Sequence, residues 1–144
     1  MNTAWPSTEL VMLTLAVYRE ARGEIPTAQI GVAWCIRNRV ESPKWWGKDY
    51  LNCLFKKWQI SSLTDPKDPQ LTVWPKPPDD AWERAYNIAY MVKEGMVAHP
   101  FPGADSYHDI SIPPPFWAKP EQRKGQAGRI IFYDTDGAAQ PTEG

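Results

Sequence analysis

Glu20 and Glu24 stand in the string Tyr18-Arg19-Glu20-Ala21-Arg22-Gly23-Glu24, and carboxyl groups are the side chains that most often cleave sugar acetals. Breaking a glycosidic bond needs a protonated carboxyl beside the leaving oxygen, so its surroundings must raise its pKa. Glu20 falls in the last turn of a helix read over about Thr8 to Arg22. Unpaired carbonyls there place partial negative charge. With partial burial this predicts an upward shift, which Arg19 and Arg22 would oppose if they pointed at the carboxyl. Taken alone, a glutamate between two arginines reads more often as a solvated surface pair.

Other chemistries have less support. Cys35 and Cys53 are the only cysteines, and with two histidines they do not match a familiar zinc spacing or imply a disulfide scaffold. Cys35 reads as a small core residue. The 16 basic and 17 acidic residues give a net charge of −1, which leaves no electrostatic footprint for nucleic acid or an anionic membrane. No apolar stretch approaches the roughly 18 residues of a membrane span. Eight tryptophans are many for 144 residues. Each singly reads as core, but several in one groove would suit the flat C–H faces of sugar rings.

The length fits one domain, read as residues 1–135, with a small, polar and flexible tail over 136–144. The first helix carries Leu10, Leu13, Val17 and Ala21 on one stripe, with Ser7 or Thr8 as its cap. A second helix over about Thr27 to Val40 is apolar over most of its girth and reads as central. Lys44 to Pro78 reads as long loops with short ordered pieces such as Trp58 to Ser61; loops of this length are often functional. A third helix opens on a capping box of Asp80 with Glu83, carries Trp82, Ala85, Ala89 and Val92 on its stripe, and closes at Gly95. Ser106 to Ile110 and Arg129 to Tyr133 read as strands that could pair.

The longer string weighs against the surface-pair reading of Glu20. After Glu24 come Gln29, Gly31-Val32-Ala33-Trp34 and Asn38-Arg39-Val40. These residues resemble the catalytic domain of the spore cortex-lytic enzyme and bacterial cell wall hydrolase family, whose pattern is Tyr-x-Glu-Ala/Ser-Arg-Gly-Glu, a Gly-Gln with an apolar helix, and Asn-Arg-Val. Later pieces agree in order: Trp58-Gln59-Ile60-Ser61, Gly95, Gly103-Ala104-Asp105-Ser106-Tyr107-His108, Phe116-Trp117-Ala118 and Gly128 to Tyr133. The resemblance spans about residues 8 to 134. Two departures stand out. Arg129 and Ile130 stand where the family ending often carries Gly-Asn-His, and Lys44 to Pro78 is longer and richer in proline than the family pattern.

The resemblance implies a mainly helical α+β, lysozyme-like fold, with a helical lobe and a small sheet lobe facing each other across a groove. It implies Glu20 as catalytic acid. Glu24 matches the second motif glutamate, with a structural bond to the next helix's N-terminus as one reading. Arg22 and Arg39 would join the two helices through buried pairs. Gln59, Ser61, Tyr107 and Trp117 are the supporting or substrate-binding candidates. Tyr107 is expected within hydrogen-bond reach of Glu20 or of the sugar next to it, directly or through one water, and against Glu20 it is expected to donate and favour the protonated form.

The implied activity is cleavage of peptidoglycan glycan strands between N-acetylmuramic acid and N-acetylglucosamine. In the lytic form Glu20 serves as acid and then base, with no metal or cofactor. One alternative is a hydrolytic muramidase whose second carboxylate is Asp105, Asp109 or Glu24. Another is a non-catalytic glycan-binding or virion structural module. The expected partners are glycan strands, without nucleic acid or membrane insertion, and the chain is expected to be a monomer. The N-terminus lacks the basic and apolar regions of a secretory signal. That suits a protein made in the cytoplasm and acting on the wall, such as a phage endolysin, and equally a domain excised from a longer secreted protein.

Overall fold

The computed structural model describes residues 7–56 and 59–137. Five helices come in chain order: α1 (Thr8–Ala21), α2 (Pro26–Glu41), α3 (Tyr50–Leu54), α4 (Ser61–Thr64) and α5 (Asp80–Lys93). Three strands follow: β1 (Ser106–Asp109), β2 (Arg123–Ala127) and β3 (Ile130–Tyr133). They form one antiparallel sheet in the order β1-β3-β2. The mainly helical α+β, lysozyme-like arrangement expected from the sequence is the one observed.

α1 starts where Ser7 accepts the Leu10 amide at 3.1 Å, a side-chain cap on an otherwise unpaired donor. The expected stripe of Leu10, Leu13, Val17 and Ala21 is buried, and so are Leu15, Ala16 and Tyr18 between its members. α1 is therefore enclosed on nearly all sides by α2, α3, α4 and α5. α2 is central in a different sense, lying between the helical lobe and the sheet. One face packs Ile36 with Leu13 and Leu54. Another packs Ala28, Val32 and Cys35 against Ala127, Ile130 and Phe132.

Gly31 sets how closely the sheet approaches. A Cβ at this position would lie 2.6 Å from Cζ of Phe132, a distance real Cβ atoms do not adopt. Phe132 is fully buried and stacks on Phe101 with ring centroids 4.5 Å apart, so the ring lies directly on bare helix backbone.

One sequence expectation is corrected, and two details are added. Asp79, not Asp80, caps α5, accepting the Trp82 amide at 3.1 Å and the Tyr18 hydroxyl at 2.7 Å. With two adjacent aspartates, the tertiary partner Tyr18 decides which one caps. β2 was not read from the sequence: Arg-Lys-Gly-Gln-Ala is a polar edge strand with an irregular register between Arg123 and Gly125. Lastly, the tail read from residue 136 begins with two anchored residues. Lys44 Nζ meets Asp136 Oδ1 at 3.0 Å, and Trp45 Nε1 donates to the Gly137 carbonyl at 3.0 Å.

Candidate active site

Glu20 is the penultimate residue of α1, and Tyr107 is the second residue of β1. The Tyr107 hydroxyl donates to Glu20 Oε1 at 2.8 Å. Both side chains are enclosed by protein on most sides and open to a cleft of about 320 Å³. Gln59, Ser61 and Trp117 line the same cleft, together with Arg39, Ser106, His108, Asp109, and the apolar Ile112, Pro115 and Ile130. Five of the six side chains singled out in the sequence thus meet in one place. Trp58 lies outside the described residues.

The Glu20 carboxyl is held above the ordinary carboxylate range. Burial is the largest cause, and the negative charge of Asp68 adds to it. Three neighbours pull the other way: the Tyr107 hydrogen bond, the Ser62 hydroxyl and the Arg39 guanidinium. The expected sign of the Tyr107 contact is therefore corrected. A phenol that donates its proton stabilises the charged carboxylate, not the acid form. Tyr107 itself is raised well above its usual value by burial and by Glu20, so it remains a donor. The Ser62 hydroxyl is buried near Glu20 but makes no well-formed hydrogen bond among the described residues.

The helix-end argument needs the same revision. Gln29 is buried, and its Nε2 donates to the carbonyls of Ala21 at 2.9 Å and Glu24 at 3.1 Å. The carbonyls at the end of α1 are partly satisfied, which weakens the negative pole beside Glu20. Nor do the flanking arginines face the carboxyl. Arg19 donates to the carbonyls of Val73 at 3.0 Å and Ser62 at 2.9 Å and lies 4.9 Å from the Trp74 ring centroid. Arg22 turns back to the Tyr18 carbonyl and ring.

Glu24 leaves the site. Its Oε2 reaches the Arg129 amide at 3.4 Å in the turn between β2 and β3, rather than the N-terminus of α2. That turn passes close because Gly128 has φ of 55° and no Cβ; one there would meet Glu24 Oε2 at 2.6 Å. α2 opens instead with Ile25 at its cap and Pro26 in its first turn. The buried pairs expected of Arg22 and Arg39 are absent among the described residues. Arg39 is buried, donates through Nε to the Asp105 carbonyl at 2.7 Å, and has an Nη1 without a partner.

Of the alternative second carboxylates, Asp105 is occupied. It accepts Ser106 Oγ, Thr135 N, Thr135 Oγ1 and Gly137 N. Asp109 lines the cleft, and the Ser111 amide and Arg129 guanidinium hold it below the ordinary carboxylate range against the effect of burial. Sequence reasoning missed two contributors. Asp68 sits in a turn of the proline-rich segment, where Pro and Asp signal only a turn. His108 was quoted as part of a motif but not as a cleft residue. Its Nδ1 lies 2.9 Å from the Asp109 carbonyl and its Nε2 3.1 Å from the Tyr133 hydroxyl. A carbonyl can only accept, so Nδ1 carries a proton, and in the neutral ring Nε2 accepts from Tyr133. Ile130, where the family ending often has its histidine, also lines the cleft.

Comparison with known proteins bears on the fold and the family. Two solved structures share the fold: the catalytic domain of the germination-specific lytic transglycosylase SleB from Bacillus anthracis, with a TM-score of 0.70, and the catalytic domain of the Bacillus cereus SleB protein, with a TM-score of 0.71. Each is 22% identical to this chain and covers 92% of it; the match takes in 99% of the first domain and 94% of the second. No curated protein matches the sequence. The family model described as Cell Wall Hydrolase matches residues 23–133, starting just after Glu20, whose place in the site therefore rests on the cleft geometry. That match takes in most of the chain, including every other cleft residue named above, and the protein belongs to the cell wall hydrolase family.

Proposed function

We propose that the protein cleaves peptidoglycan glycan strands between N-acetylmuramic acid and N-acetylglucosamine by lytic transglycosylation, with Glu20 as acid and then base. The observation that carries this reading is the Glu20 carboxyl itself: raised by burial, open to a cleft, and held by Tyr107 at 2.8 Å. A raised carboxyl keeps its proton into the pH range where a general acid is useful. The likeness to one domain named as a lytic transglycosylase supports the same chemistry.

In the first half of the reaction Glu20 gives its proton to the glycosidic oxygen, and the bond from that oxygen to C1 of the muramic residue breaks. Positive charge develops on the sugar ring as Glu20 becomes a carboxylate. The Tyr107 hydroxyl stabilises that carboxylate, and the nearby Arg39 charge acts in the same sense. In the second half the carboxylate takes the proton of the muramic C6 hydroxyl, whose oxygen closes onto C1. An anhydro ring forms, Glu20 is protonated again, and no water is consumed.

A second reading has one observation in its favour. Asp109 is a carboxylate on the same cleft, and it could activate water for hydrolysis. Mass spectrometry of digested, purified peptidoglycan separates the two. Anhydro-muramic ends support the lytic reading, reducing ends on all products support hydrolysis through Asp109, and free stem peptides would overturn both. Wall binding without any soluble product would leave a glycan-binding module.

A further inference from the structure

The segment between α4 and α5 contains a side chain that the proposed chemistry does not yet use. Asp68 accepts hydrogen bonds at both carboxylate oxygens. Oδ1 takes the Gln70 amide at 2.8 Å, capping the short 3-10 turn Pro69–Thr72, and Oδ2 takes the Ser61 hydroxyl at 2.6 Å. The latter is the length of a hydroxyl bound to a charged oxygen. Ser61 lines the cleft beside Glu20. A serine hydroxyl has one proton, and here it is committed to Asp68, which leaves the lone pairs of the Ser61 oxygen for the cleft.

We propose that Asp68 is a positioning residue of this cleft: its carboxylate fixes the Ser61 hydroxyl as a hydrogen-bond acceptor toward the glycan and sets its charge behind the cleft wall that Ser61 shares with Glu20. The inference rests on the reading of Glu20 as the acid. The polar groups that bear on Glu20 come from four elements: Tyr107 of β1, Arg39 of α2, Ser62 of α4, and Asp68 of the turn after α4. Tyr107, Ser62 and Arg39 all favour the carboxylate, and Asp68 alone opposes it. Burial and Asp68 together favour the protonated acid, while Tyr107 and Arg39 favour the carboxylate left once the proton has gone.

The fixed acceptor also bears on the substrate. A sugar group meeting Ser61 must donate. N-acetylated aminosugars carry an amide N–H at C2, where plain hexoses carry a hydroxyl that can turn either way. Ser61, locked by Asp68, therefore accepts from the amide N–H of an acetamido sugar and disfavours a group that can only accept.

The decisive variant is Asp68→Asn. It retains an acceptor for the Gln70 amide, loses the charge, and turns an N–H toward Ser61, which releases the serine proton into the cleft. The midpoint of the Glu20 carboxyl, followed by carbon-13 NMR without substrate, is expected at lower pH in this variant than in the wild type. The alkaline limb of wall lysis should move to lower pH with it, with lysis at neutral pH reduced on the order of 10-fold. Ser61→Ala keeps the charge and loses the hydroxyl; it should slow lysis and leave the Glu20 midpoint in place. If Asp68→Asn does not fold, Asp68→Ser, which can still cap the turn, takes its part. An unmoved Glu20 midpoint in a folded variant lacking the Asp68 charge overturns the proposal. Absence of glycan products from the wild type would instead overturn the reading of the site, and the NMR comparison would still decide what Asp68 does to Glu20.

Discussion

The hydroxyl of Tyr107 lies 2.8 Å from Glu20 Oε1, although the two residues are 87 positions apart in the chain. One stands at the end of a helix enclosed by other helices and the other on a three-stranded sheet, with α2 between the two lobes. Each lobe thus contributes one member of the pair.

Glu20→Gln keeps the shape and hydrogen-bonding capacity of the side chain and removes its proton chemistry. Lysis of purified walls should fall by about 10²-fold or more, with an unchanged circular dichroism spectrum. Near-normal lysis by the folded variant would remove Glu20 from the role of acid.

Tyr107→Phe removes the donor to the carboxylate. A hydrogen bond to a charged group contributes about 1.5–3 kcal/mol, so turnover should drop by roughly 10- to 100-fold, with wall binding little changed. The Glu20 midpoint should rise, because the lost bond favoured the charged form. That is opposite to the direction expected for Asp68→Asn. Equal rates and equal midpoints in the Phe variant and the wild type would place Tyr107 outside the mechanism.

The raised Glu20 carboxyl also has a stability signature. A group with a higher pKa folded than unfolded contributes stability below its unfolded value and loses it as pH rises through its folded value. Glu20→Gln cannot ionise. Its melting temperature should match the wild type's in acid, where both side chains are neutral, should exceed it increasingly as pH climbs from the unfolded carboxyl value to the Glu20 midpoint, and should stay higher by a constant margin above that. Parallel melting curves at every pH would contradict the raised value.

Gly31→Ala should destabilise the protein. The change gains about 1 kcal/mol of helix propensity, but the new Cβ overlaps a Phe132 ring that is fully buried and stacked on Phe101. Overpacking of this kind costs about 1–3 kcal/mol, so the loss should exceed the gain. Tyr107 pairs with Phe132 in the sheet register, so wall lysis should fall as well. A urea midpoint at or above that of the wild type would show that the sheet can retreat.

Much of this was legible in the sequence because it follows from periodicity and strong local signals. α1, α2 and α5 show themselves by apolar spacing, and β3 by its run of isoleucines and aromatics. Glu20, Gln59, Ser61, Tyr107 and Trp117 could be named because their motifs keep their order along the chain. What stayed hidden depends on long-range partners. Nothing local says that Tyr18 selects Asp79 over Asp80 as a cap, that Arg39 finds a carbonyl instead of a carboxylate, or that Glu24 reaches a turn about a hundred residues downstream. Asp68 was hidden for another reason: in a stretch full of Pro and Asp, turn chemistry masks a residue that also faces the site.

Gln29 joins the end of α1 to the start of α2 by donating to carbonyls on the corner between them. A corner held by a buried amide is a fixed joint, with little freedom on fast timescales. The opposite wall, which carries Gln59 and Ser61, is tied back to α1 through the two carbonyls that Arg19 holds. Loop segments held by a few bonds move within nanoseconds to microseconds. The spacing of the two walls is therefore set in part by the Arg19 guanidinium, one residue from the acid, which holds two carbonyls of the opposite wall at once.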